Sequence, residues 1–162
     1  MPPAAPSVPD ESDEQVNLGC LTGFIGFRLR RIQIHLSRAF SERTQSYNLR
    51  SGALSALAII EGNPGISQSI VAREIGMDTS AAVALLDELE QRGWIERKRL
   101  AQDRRRYAIH ATDLGRTILA ELCAILMETE NAPLQSLSPH ELLMFNHVLD
   151  KIYANCFSLE EE

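Results

Sequence analysis

Trp94–Gly115 reads WIERKRLAQDRRRYAIHATDLG, and its interpretation decides the fold. Two short runs, Trp94–Arg99 and Arg105–His110, alternate apolar with polar side chains, the period of a strand with one buried face. Leu100–Asp103, LAQD, is a polar gap of the length that joins two antiparallel strands. The stretch therefore predicts a two-stranded hairpin. Thr112 follows as an N-cap residue, so a helix is expected to begin there. The hairpin crowds Arg97, Lys98, Arg99, Arg104, Arg105 and Arg106 into ten residues of a chain whose formal charge is −6. That concentration needs an acidic counterpart.

Moving toward the N-terminus, Gly93 stops a helix over Thr79–Arg92 at the usual C′ position, with Val83, Leu85, Leu86 and Leu89 expected inward. IGMD, Ile75–Asp78, makes a turn, and Ser67 offers an N-cap for a short helix through Glu74. Two short helices joined through Gly76 form a helix-turn-helix pattern. A helix over Ser51–Glu61 precedes them, closed by GNPG, Gly62–Gly65. Before that, Leu18–Gln45 predicts one long helix. Its series Ile25, Leu29, Ile32, Leu36, Ala39 and its series Phe24, Phe27, Arg31, Ile34, Arg38 call for cover on two sides, one from the same domain and one from a second subunit.

Toward the C-terminus, Thr112 is expected to cap a helix to about Glu130. Ser138-Pro139 starts another to about Phe157, with proline at its first position. Residues 1–17, rich in proline and acid, are expected to be a disordered tail. Residues 158–162 form a short acidic tail.

Charge is unevenly spread. The N-terminal tail carries −4, residues 27–50 carry +5, residues 92–106 carry +5, and the chain from 121 onward carries −7. A protein that offers one basic surface to a polyanion has this polarity. No run reaches the roughly 20 apolar residues of a membrane span. Absence of a basic segment followed by an apolar one predicts no secretory signal. Cys20, Cys123 and Cys156 are odd in number and lack metal-ligand spacing, so a cytoplasmic protein with reduced thiols is expected. His35, His110, His140 and His147 are scattered, with no paired metal spacing, no nucleophilic triad order and no glycine-rich phosphate loop. No enzyme activity, metal or cofactor is expected.

The order helix, helix, helix-turn-helix, hairpin, helix is that of a winged helix, and Pro64–Leu119 resembles the core of the MarR-type bacterial transcription regulators. The matching features are Gly93 with the apolar pair behind it, Asp103-Arg104-Arg105 at the wing, and Thr112 to Gly115 opening the next helix. With the flanking long helices the resemblance spans 18–157. It implies a mainly α fold with a two-stranded wing, a winged helix-turn-helix DNA-binding lobe over 51–111, and dimerisation helices over 18–45 and 112–157. It also implies a homodimer gripping a palindromic duplex, its recognition helices about one DNA turn, roughly 34 Å, apart.

By the same resemblance Arg105 enters a minor groove, and Asp103 orients a neighbouring arginine. Lys98, Arg99, Arg104 and Arg106 meet the phosphate backbone. Ser67 and Gln68, at a helix N-terminus, are phosphate contacts. On the recognition helix, which has few hydrogen-bond donors, Thr79 and Ser80 are expected to reach phosphates or base edges, and Ala81 and Ala82 suit thymine methyls. Weight therefore shifts from direct base reading to the wing and to DNA shape. Regulators of this kind answer small effectors, and the basic Gly26–Phe40 segment resembles that of regulators of hydroxycinnamate catabolism, some of which sense the acyl-CoA thioester. Phe24 and Phe27 are then expected against a ring, with Arg28, Arg30, Arg31, His35 and Arg38 cradling a carboxylate or phosphates. The competing expectation pairs these arginines with the acidic C-terminal helices or with DNA. A winged helix that binds protein partners and a thiol-based redox regulator are the alternatives. For the latter, Gly26 stands where the peroxide-sensing branch has its reactive cysteine, so Cys20 is expected buried and inert, with Cys123 and Cys156 packed.

Overall fold

A computed structural model describes residues 16–99 and 107–157. By their internal contacts the residues fall into two units, Met1–His35 and Leu36–Glu162.

In the first unit the expected helix does not begin at Leu18. A 3-10 turn occupies Gly19–Gly23, and Phe24 is extended. Gly19 lies at φ +56 and its N–H donates to Asn17 Oδ1 at 2.8 Å, a left-handed start that an α-helix does not continue. Helix α1, Ile25–Arg43, starts only beyond this break and runs on into the second unit. Ile25, Leu29, Ile32 and Ile34 are all exposed, and so is Cys20, contrary to the buried thiol expected.

In the second unit α1 ends at Thr44, whose buried hydroxyl donates to the Phe40 carbonyl at 2.8 Å. A second 3-10 turn, Gln45–Tyr47, is closed by Asn48 in the left-handed region. There follow α2 (Ala53–Gly62), α3 (Gln68–Glu74) and α4 (Thr79–Gln91). Strands β1 (Ile95–Arg99) and β2 (Tyr107–Ala111) pair antiparallel, from Ile95 opposite Ala111 to Arg99 opposite Tyr107. A bridge the sequence did not signal joins Ile66 to Ile109, the Gly65 N–H donating to the Ile109 carbonyl at 2.9 Å. Helices α5 (Asp113–Leu134) and α6 (Pro139–Phe157) complete the chain.

Leu57 and Ile60 of α2, Val71 of α3, Leu85, Leu86 and Leu89 of α4, and Ile95 and Ile109 of the hairpin make the core. Each is essentially inaccessible to solvent, so truncating one of the larger ones to alanine costs about 2–5 kcal/mol. The inward stripe of α4 is Ala82, Leu85, Leu86, Leu89, the i, i+3, i+4, i+7 set of a helix. Val83 is one position out of phase with it and only half-buried.

Capping follows the sequence closely. Ser67, Asp78 and Thr112 accept from the N–H groups of Ile70, Ala81 and Gly115. Helix α6 opens on a capping box in which the Ser138 N–H and hydroxyl donate to Glu141 at 2.8 and 2.7 Å. Helix α5 runs a turn beyond the expected Glu130 and past Pro133, which sits so near the end that one missing N–H stops nothing. Helix α6 buries no residue, Cys156 included, which was expected to pack.

Candidate nucleic-acid interface

Helices α3 and α4 pack against each other across the Ile75–Asp78 turn, where Gly76 takes φ +65. With α4's buried stripe facing the core, Thr79, Ser80 and Ala84 point to solvent, and Ala81 and Val83 are partly exposed. Ala82 is fully buried, which removes it from the expected contact set: it belongs to the same helical face as Leu85, Leu86 and Leu89. Ser67 and Gln68 are partly exposed at the start of α3.

The second half of α4 carries Asp87, Glu88 and Glu90, an unpromising set beside a polyanion, yet each is matched by an arginine. Arg97 of β1 donates through Nη1 to Asp87 Oδ1 at 2.6 Å and to Glu90 Oε2 at 2.7 Å. Its Nη2 reaches Gln68 Oε1 at 3.3 Å, and its backbone N–H donates to Glu90 Oε1 at 3.2 Å. Burial pushes this guanidinium's pKa down, but the hydrogen bonds to Asp87 and Glu90 outweigh it and leave the pKa above the usual arginine value. Glu88 accepts from Arg50 at 3.0 Å and from Arg92 at 2.6 Å.

Arg92 does more than neutralise. It donates to the Tyr47 and Asn48 carbonyls at 2.7 and 2.9 Å and lies 5.1 Å from the Trp94 ring centroid, so it ties the 3-10 turn before α2 to the end of α4. Arg92 and Arg97, counted with the basic run at first sight, are thus structural ties. The Arg92–Glu88 pair has the i, i+4 spacing of a helix and is readable in the sequence. The Tyr47 and Asn48 carbonyls and the partners of Arg97 lie on other elements, where no spacing rule reveals them. Lys98 and Arg99 are exposed on β1, Lys98 pairing with Glu96 at 2.6 Å. Asp103, Arg104, Arg105 and Arg106 lie outside the described residues.

Toward the C-terminal helices, Arg43 donates to Thr129 Oγ1 at 3.1 Å and pairs with Glu128, and Tyr47 donates to Glu121 at 2.7 Å. Thr112 Oγ1 donates to the Gly93 carbonyl at 2.6 Å, fastening the start of α5 to the turn between α4 and β1.

Within the first unit, Leu18, Thr22, Phe27, Arg28, Arg31 and Ile32 line an open pocket of about 350 Å³ with an almost wholly apolar wall. Of the proposed effector contacts it gathers Phe27, Arg28 and Arg31. Phe24, Arg30 and His35 are exposed and do not line it. Arg38, in the second unit, pairs with Glu42 at 3.0 Å. Among the described residues no cluster of His, Cys, Asp or Glu suits a metal ion, and no helix is long and apolar enough to cross a membrane.

The MarR family profile matches residues 47–106. A Thauera aromatica protein, described as a putative transcriptional regulatory protein for the hcr operon, is 34% identical over 136 residues, which are 83% of this chain and 82% of that protein. Among solved structures, the transcriptional repressor CouR bound to a 23-mer DNA duplex superposes with a TM-score of 0.74 at 26% identity, over 88% of this chain and 99% of that one. A MarR transcriptional regulator from Methanosarcina mazei Go1 superposes with a TM-score of 0.76 over 85% of this chain and 99% of that one. Its 19% identity makes that a likeness of fold.

Proposed function

The chain belongs to the MarR family of transcription regulators, which are not enzymes, and we propose that it is a cytoplasmic, homodimeric repressor released from a palindromic operator by a small aromatic effector. The observation that carries the DNA-binding part is the state of α4. Its three second-half carboxylates are each paired with an arginine, so the helix meets a duplex with an uncharged outer face at Thr79, Ser80, Ala81 and Ala84. Flanking it, Lys98 and Arg99 with Arg104 and Arg106 meet phosphates, and Arg105 enters the minor groove, with Asp103 orienting a neighbour. Ser67 and Gln68 add backbone contacts at the start of α3.

A second copy covers the apolar surfaces that this chain leaves open: Leu143, Phe145, Val148, Leu149 and Ile152 of α6, and Leu29 and Ile32 of α1. A repressor bound to a duplex and a regulator assigned to an operon, both similar over more than four-fifths of this chain, support the reading.

For the effector, the pocket at the start of α1 has an almost wholly apolar wall suited to a ring. The acid or phosphate is assigned to the guanidinium groups of the exposed Arg28 and Arg31, whose carbon stems help line it. An effector that fits only a DNA-incompatible spacing of the two recognition helices empties the binding-competent population, and its differential affinity limits the response.

The test is binding to duplexes selected by the purified protein from a randomised pool. Affinity should fall steeply and linearly in log–log form with salt, and Arg105→Ala should weaken it. Unchanged binding in that variant would remove the wing from the interface, and a protein that selects no sequence would be a protein-binding winged helix instead. Calorimetry with an aromatic acyl-CoA and with the free acid separates the two effector classes, since a thioester-specific site ignores the acid.

A further inference from the structure

We infer, resting on the reading of α4 as the helix that enters the major groove, that it recognises its half-site through thymine methyl groups and not through hydrogen bonds to base edges. Direct reading by hydrogen bonds uses a small set of side chains: Arg or Lys on guanine, Asn or Gln on adenine, Asp or Glu on cytosine. From Thr79 to Glu90 the first four types are missing altogether. The acids are present but occupied. Asp87 and Glu90 hold Arg97, and Glu88 holds Arg50 and Arg92. Asp78 caps the helix by accepting from the Ala81 N–H at 2.9 Å.

The neighbouring helix offers little more. The Gln68 side-chain oxygen accepts from Arg97 at 3.3 Å, and Arg73 folds onto Glu74 with contacts of 3.0 and 2.6 Å. Gln91 is exposed, but it lies twelve residues beyond Thr79, about 18 Å along the axis and past the width of a groove.

What the outer face of α4 does present is methyl groups. Thr79 and Val83 form one i, i+4 column, and Ser80 and Ala84 form the next; Thr79, Ser80 and Ala84 are exposed and Val83 is half-exposed. The hydroxyls of Thr79 and Ser80 pair with any base and so discriminate weakly. On the major-groove edge the one feature that an apolar side chain distinguishes is the C5 methyl of thymine. The half-site is therefore a thymine-containing one, with Ala84 and Val83 seated against successive methyls.

Uracil tests this directly, because it keeps base pairing and removes only the methyl. Duplexes selected by the full chain are remade with each thymine replaced singly by deoxyuridine. One or two positions in each half-site should lose roughly fourfold in affinity, the worth of one apolar carbon taken from water. At one of them the thymine-to-uracil ratio should fall toward unity in Ala84→Gly, and at another in Val83→Ala. That ratio is taken within a single variant, so altered stability of the variant does not move it. Uracil tolerated at every position, while the selected duplex still outcompetes random DNA, would overturn the inference and leave the regulator reading intact. A chain that prefers no sequence at all would overturn both.

Discussion

Arg97 joins β1 to α4 through two carboxylates, and it is only 14% exposed at its side chain. Replacing it by methionine keeps most of the volume but strands Asp87 and Glu90. We expect a loss of about 2 kcal/mol in urea unfolding, the usual worth of hydrogen bonds to a charged group. Duplex binding should weaken as well, because two carboxylates are released beside the polyanion, and adding Glu90→Gln to Arg97→Met should recover part of it. Gly115 is equally exacting for a different reason. The Thr112 N–H donates to the Trp94 carbonyl at 3.0 Å, which brings the first turn of α5 down onto that oxygen. A Cβ on residue 115 would sit 2.0 Å from it, and the obstacle is backbone that cannot rotate away. Gly115→Ala should therefore cost roughly 1–3 kcal/mol, read as a lower melting temperature. In the sequence both residues looked ordinary, one a member of a basic run and the other a family match. The strain and the pairing belong to neighbours brought in by folding.

At the scale of elements, the 3-10 turn Gln45–Tyr47 is the joint where helices meet. Arg92, just beyond α4, holds the Tyr47 carbonyl and that of Asn48, which closes the turn, and Tyr47 reaches Glu121 of α5. The hydrogen bond to Glu121, then desolvation and the charge of Glu121, raise the Tyr47 pKa above the ordinary 10.0. The folded state thus holds this proton more tightly than the unfolded chain does. Its contribution to stability is complete below the unfolded pKa and is lost as pH rises through the folded one. Urea midpoints measured between about pH 8 and 11 should fall more in the native chain than in Tyr47→Phe. Glu141 behaves oppositely. The Ser138 N–H, and then the Ser138 hydroxyl, hold its carboxyl below the usual range, so its contribution is present above the ordinary carboxylate pKa and disappears as the solution is acidified. Capping residues such as Ser138 were readable from sequence because a cap is a contact over three residues. The joint at Gln45–Tyr47 was not, since Arg92 and Tyr47 are 45 residues apart.

For the whole molecule, α6 is a helix with no buried residue and eight large apolar side chains exposed. Such a surface is stable in water only when something covers it, and a second copy is the proposed cover. Val148→Glu with Ile152→Glu should convert the proposed dimer to monomer in sedimentation equilibrium. Duplex affinity should fall by roughly 10²–10⁴, because two linked half-site contacts become independent ones. The sequence alone determined the α-helices and the two strands that follow the Gln45–Tyr47 turn and their order, because helix periodicity, N-caps, the glycine stop and strand alternation act over a few residues. It did not determine where the first long helix begins: the expected start at Leu18 lies ahead of the apolar series, and the left-handed Gly19 and the extended Phe24 hold the helix back to Ile25, where that series starts. Only the tertiary structure decided that Ala82 faces the core and that Arg92 and Arg97 serve the fold. It also decided that α4 shows an uncharged face, for a charge is cancelled by whichever partner folding sets within a few ångströms, and sequence distance carries no record of that.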